Sequence, residues 1–153
     1  MPGIGGTPPR DDAAMVLAQQ WIASAQPPPG VRALDAAPAS GPKRPATEVA
    51  CDWLVRATKW WSTDSAHAAA ASAWLTQHPV DGLVTDGTMT GPGDLTAIFE
   101  HSPQKQNDSV EFEFAPSGDS VTIRVDVTIV PAGAQCNSTG GAAQTGPGNS
   151  AGR

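Results

Sequence analysis

The chain of 153 residues carries 9 Lys and Arg against 15 Asp and Glu, a formal charge of -6 at pH 7. Its cations are scattered singly (Arg10, Arg32, Arg56, Lys59, Lys105, Arg124, Arg153) apart from the pair Lys43 and Arg44, which excludes a basic stripe for nucleic acid and argues against attraction to an anionic membrane. No apolar run approaches the roughly 20 residues that span a bilayer, so no transmembrane segment is expected.

Residues 1–10 and 137–153 hold almost no aliphatic or aromatic side chains and are rich in Gly, Pro, Ser and Thr. Too little apolar surface is available there to offset the entropy of ordering, so both ends are expected to be disordered tails around a single domain at 11–136. The start, Met1-Pro2-Gly3-Ile4-Gly5-Gly6, lacks the basic, apolar and small-residue regions of a secretory signal.

Residues 11–25 read as a helix. Asp11 and Asp12 suit its first turn, and Ala14, Leu17, Ala18, Trp21, Ile22 and Ala25 recur at helical spacing. Pro27, Pro28 and Pro29 end it. Residues 31–35 predict a short edge strand, and residues 36–46, with Pro38, Pro42 and Pro45, a loop.

From Val49 to Trp61 the period becomes two, with Val49, Cys51, Trp53, Val55 and Ala57 on one face and Asp52, Arg56 and Thr58 on the other, which predicts a long strand. Ser62, Thr63 and Asp64 offer caps for a second helix through about Gln77. Its contact face is expected around Ala66, Ala70, Ala73 and Trp74, with His67 at the margin. Trp61 has core parity and Trp60 does not. The first helix, whose Trp21 and Ile22 also need a partner, is expected to cover Trp60. If Trp60 is instead exposed beside Arg56 and Thr58, the three form an aromatic platform, the candidate ligand-binding surface of the sequence. A bulge near Lys59 would swap the two tryptophans.

Four strands follow, at 83–90, 95–100, 110–115 and 121–130, for an α+β fold: a two-layer antiparallel sheet with two helices. In the last pair, Val110, Phe112 and Phe114 alternate with Glu111 and Glu113, and Val121, Ile123, Val125, Val127 and Ile129 with Thr122, Arg124, Asp126 and Thr128. One buried and one solvated face is the expectation. A four-residue loop at 116–119 would set Phe112 opposite Ile123 and Glu111 opposite Arg124.

Catalytic signals are sparse, and no catalytic residue, metal ligand set or cofactor is assigned. His67, His78 and His101 stand in no metal-binding or catalytic motif. Asp81, Asp86 and Asp94 fall in a glycine-rich stretch that fails the EF-hand spacing and reads as turn chemistry. Cys51 and Cys136 are either separate thiols, with Cys51 a small buried hydrophobe, or a bridge closing 85 residues, worth about 4.5 kcal/mol in the chain-entropy view. A bridge would place the protein outside the cytoplasm.

Through Pro27-Pro28-Pro29-Gly30-Val31-Arg32, Trp60-Trp61, Trp74-Leu75-Thr76-Gln77-His78, Ile123-Arg124-Val125-Asp126-Val127 and Val130-Pro131-Ala132-Gly133-Ala134, the chain resembles a group of uncharacterised actinobacterial proteins that typically lie outside the cytoplasm. The resemblance implies an extracytoplasmic or cell-envelope location and brings no catalytic residues. The expectation is a non-catalytic binding or scaffolding module with an unknown protein or small ligand as partner. The alternatives are a small hydrolase built from His67, His101 and a carboxylate such as Asp64 or Asp94, and a cytoplasmic interaction partner.

Overall fold

The structure is a computed structural model that describes residues 12–38, 51–90 and 95–136. The expected disordered tails, Val49, Asp94 and most of the loop at 36–46 lie outside the described residues.

Helix α1 (Asp12–Ser24) and helix α2 (Ser65–Gln77) pack on one face of a six-stranded antiparallel sheet. Its strands are β1 (Arg32–Leu34), β2 (Val55–Asp64), β3 (Val84–Thr90), β4 (Thr96–His101), β5 (Ser109–Ser117) and β6 (Ser120–Ile129), in the order β1-β2-β6-β5-β4-β3. The fold is α+β, two layers deep, as the alternation of the sequence implies.

The apolar stripe of α1 is the predicted one. Ala14, Ala18, Ile22 and Ala25 are buried against β2 and β6, with Leu17 and Trp21 packed beside them. Alanines there let the helix lie close to the sheet, whose inner face carries Ile98, Val110, Phe112, Val121, Ile123, Val125, Val127 and Ile129. Trp61 sits at the centre, 1% exposed, its ring stacked on Phe112 at 5.9 Å. Lys59 shares this face without a bulge: its ammonium donates to the Ala25 carbonyl at the end of α1 and lies 5.5 Å from the Trp61 ring centre. A cation at a helix C-terminus meets the negative end of the macrodipole, which is how a lysine fits an inward position.

Three expectations need correction. The strand predicted from Val49 starts at Val55, because Cys51 makes only an isolated bridge to Cys136, and it continues past Trp61 to Asp64. Asp64 then caps α2, accepting from the His67 amide at 3.0 Å. On α2 the buried residues are Ala71 and Leu75, with Ala68 and Trp74 half-buried, whereas Ala66, Ala70 and Ala73 are exposed. An alanine-rich helix has little apolar contrast around its circumference, so Leu75, its one large aliphatic side chain, decides the rotation.

The hairpin turn is the third correction. Ser117 pairs with Ser120, leaving a two-residue turn at Gly118 and Asp119, and Gly118 takes φ +63°, the left-handed conformation such turns favour. Pro116, which cannot donate to a ladder and so reads as a breaker, lies near the strand end, where it is tolerated. Phe112 consequently faces Val125, Glu113 faces Arg124 and Glu111 faces Asp126. Partners move by two residues while the inward and outward sets stay as predicted.

Ala71→Leu overfills a closed seam and is expected to cost about 1–3 kcal/mol, whereas Ala70→Leu one position earlier should change stability by less than about 0.5 kcal/mol. Urea midpoints of the two variants check this, and equal midpoints would return α2 to the rotation read from the sequence.

Candidate functional site

Among the described residues both helices lie on the inner face of the sheet, and the opposite face is built from polar side chains. The register places Arg56, Thr58 and Trp60 of β2 there beside Arg124, Asp126 and Thr128 of β6, then Glu111 and Glu113 of β5, then Phe99 and His101 of β4. The three residues of the predicted platform thus share one face. Trp60 is half-buried and not covered by α1, which lies across the sheet. Its neighbours are Leu34 on β1 and Arg124, whose guanidinium stands 5.4 Å from the ring centre, a cation–π distance. Arg56 is exposed, and Thr58 donates to Asp126 at 2.6 Å.

This face is not solvated as the alternation suggests. Glu111 is 5% exposed and Glu113 and Asp126 are 2% exposed each, so three carboxyl groups and one arginine share an enclosed layer. The Arg124 Nε lies 2.8 Å from Asp126 Oδ2. Burial, followed by the nearby Glu111 and Asp126 charges, pushes the Glu113 carboxyl up to about 7, against the pull of Arg124. Glu113 Oε1 has no hydrogen-bond partner among the described residues. Nothing in the alternation of Glu, Arg and Asp distinguishes a solvated face from this one. The available signal was charge density: three acids on one face of two adjacent strands with a single cation.

The face opens beyond Phe99 into a cleft of about 370 Å³ lined by Asp86, Phe99, His101, Gln106, Asn107 and Ser109. A β-bulge at Asp86 builds one wall: Thr85 faces Glu100 and Gly87 faces Phe99, so Asp86 is the extra residue, and its carboxylate stands 3.8 Å from His101 Nε2. His101 Nδ1 is 3.0 Å from the Ser102 carbonyl. A carbonyl only accepts, so Nδ1 carries the proton and, in the neutral ring, Nε2 is an acceptor. Ser109 is opposite His101 in the ladder, which sets Asp86, His101 and Ser109 on one face. The order of contacts is nevertheless wrong for a nucleophilic serine, because the orienting contact at Nδ1 is to a carbonyl and the nitrogen that should take the serine proton faces Asp86.

The other histidines serve locally. His67 Nδ1 lies 2.7 Å from Asp64 Oδ1, but both side chains are more than half exposed and Asp64 is the α2 cap, its carboxyl held below the usual range chiefly by that His67 bond. His78 stacks on Trp74 with ring centres 4.2 Å apart at the end of α2. Among the described residues no group of three His, Cys, Asp or Glu is placed to hold a metal ion, and no helix is long and apolar enough to cross a membrane. Cys51 and Cys136 are joined by a disulfide. No protein-family model matches the chain, and neither a curated protein nor a solved structure matches it.

On the inner face, Glu100 is fully enclosed, accepts from the Val80 amide at 2.8 Å and is also pushed up to about 7 by burial. Glu100 and Glu113 hold protons in the folded state that the unfolded chain releases near pH 4.5. Stability is therefore expected to fall as pH rises from about 4.5 to 7 and to level off above, by on the order of 1–2 kcal/mol per carboxyl once screening is allowed for. Glu113→Gln should remove part of that slope and Glu100→Gln another part. Denaturation at several pH values checks both, and variants that keep the full slope would show that other groups carry it.

Proposed function

We propose that the chain is a non-catalytic binding module of the extracytoplasmic space or cell envelope, and that its ligand meets the face of the sheet opposite α1 and α2. The observation that carries this reading is the chemistry of that face. Enclosing three carboxyls around one arginine costs more than a packed apolar layer, and we read that enclosed cluster as the support for the polar and aromatic groups exposed beside it. The half-buried Trp60, set between Leu34 and Arg124, the exposed Arg56 and Thr58 on the same strand, and the cleft around His101 are accessible parts of the same face. The absence of a properly ordered nucleophile and base among these residues favours recognition over hydrolysis.

The location rests on the Cys51–Cys136 bridge, which fits an oxidising compartment and closes 85 residues, together with the resemblance to proteins found outside the cytoplasm. In cells of the source, trapping of free thiols with a maleimide under denaturing conditions is expected to leave both cysteines unlabelled. Purified protein should sediment with isolated cell walls, and Trp60→Ala should weaken sedimentation at least threefold. Labelled thiols would overturn the location, and unchanged sedimentation of the variant would remove Trp60 from the binding face.

A further inference from the structure

We infer that the cleft at Asp86 and His101 is a recognition site for a neutral, hydroxyl-rich ligand, of the size and chemistry of one pyranose ring. This rests on the reading of the chain as a binding module and gives that module a ligand class. Three features make the cleft a built site.

The first is the bulge, which brings Asp86 to within 3.8 Å of His101 Nε2. Both atoms are acceptors when the ring is neutral, and they are too far apart to bond each other. Two neighbouring hydroxyls can donate one to each. The second is Gly87, opposite Phe99 with φ +150°, where an added Cβ would meet nothing within 4 Å. With no side chain at that point of β3, space is left beside the half-buried Phe99 ring for the apolar face of a flat ligand.

The third is the loop that carries Gln106 and Asn107. Its ends are joined by the Ser102 amide donating to the Asp108 carbonyl at 2.9 Å, and the Asp108 amide donates to Lys105 at 2.9 Å. The Asp108 side chain, 2% exposed, accepts from the Val130 amide at 2.7 Å, while the Lys105 ammonium donates to the Val130 carbonyl at 3.1 Å. Two exposed amides are thus presented at the rim on a backbone frame that these bonds fix. Amides both donate and accept, as hydroxyls do. A cationic ligand would be matched by acceptors alone, which is why this mixed lining points to hydroxyls.

Saturation-transfer NMR and titration of the His101 Cε1–H resonance, with D-glucose, D-galactose and N-acetylglucosamine as probes, test the site on the full chain. At least one sugar is expected to shift the His101 signal with a millimolar Kd, and Asp86→Ala and Asn107→Ala, both at exposed side chains, should each weaken it tenfold or more while circular dichroism stays unchanged. Sugars that leave His101 unmoved would overturn the proposal, as would equal binding by both variants. Tetramethylammonium or arginine shifting His101 in place of the sugars would overturn the ligand class while leaving the binding module standing, and the state of the cysteines in cells is read independently of all three.

Discussion

The register of the β5–β6 hairpin governs which charged groups meet on the outer face of the sheet. Gly118 lets the chain reverse in two residues, and every pair along the hairpin follows from that turn. A turn longer by two residues would keep Val110, Phe112 and Phe114 on the core and preserve the hydrophobic energetics almost unchanged. It would, however, set Glu111 in place of Glu113 against Arg124 and take away the carboxyl that now faces Asp126. The apolar face fixes parity only, and the turn alone fixes which acid meets which base.

The consequence is an asymmetry between the two faces. On the inner face the chemistry is conventional, with alanines of α1 and Leu75 of α2 closing over aliphatic strands and Trp61. Among the described residues two titratable groups intrude there, each with a backbone partner: Lys59 donates to the Ala25 carbonyl, and one Glu100 oxygen accepts from the Val80 amide while the other is buried without a partner. On the outer face the intrusions are the rule. Arg124 meets Trp60 and Asp126, Asp126 also takes the Thr58 hydroxyl, and Glu113 sits across the ladder with its titration moved to neutrality.

Much of the fold was legible from residues alone. Both helices, the edge strand, four later strands, the α1 stripe and the opposed orientation of Trp60 and Trp61 all follow from periodicity and from proline and glycine positions. What failed did so for identifiable reasons. An alanine-rich α2 carries no strong moment, so its rotation had to come from Leu75. Pro116 resembles a breaker although it ends a strand. Most importantly, alternation reports which side chains share a face but not whether that face is enclosed, so Glu111, Glu113 and Asp126 read as solvated. The site was legible in fragments: Trp60 and Thr58 from parity, His101 as one histidine among three, and Asp86 only as a turn residue.

Asp86 shows why that last fragment could not be assembled. In a regular strand it would stand opposite Phe99, two positions along from His101, and its Asp-Gly neighbourhood speaks for a turn. The bulge changes its place without changing its sequence signature: the extra residue turns the carboxylate toward the imidazole, and Gly87 takes the position opposite Phe99 with no side chain to fill it. Asp86 therefore loses regular pairing, Gly87 keeps it without a side chain, and the two together shape the cleft. The bulge weakens the ladder beside a loop that the buried Asp108 pins, and this local departure from regular pairing is what the proposed recognition site rests on.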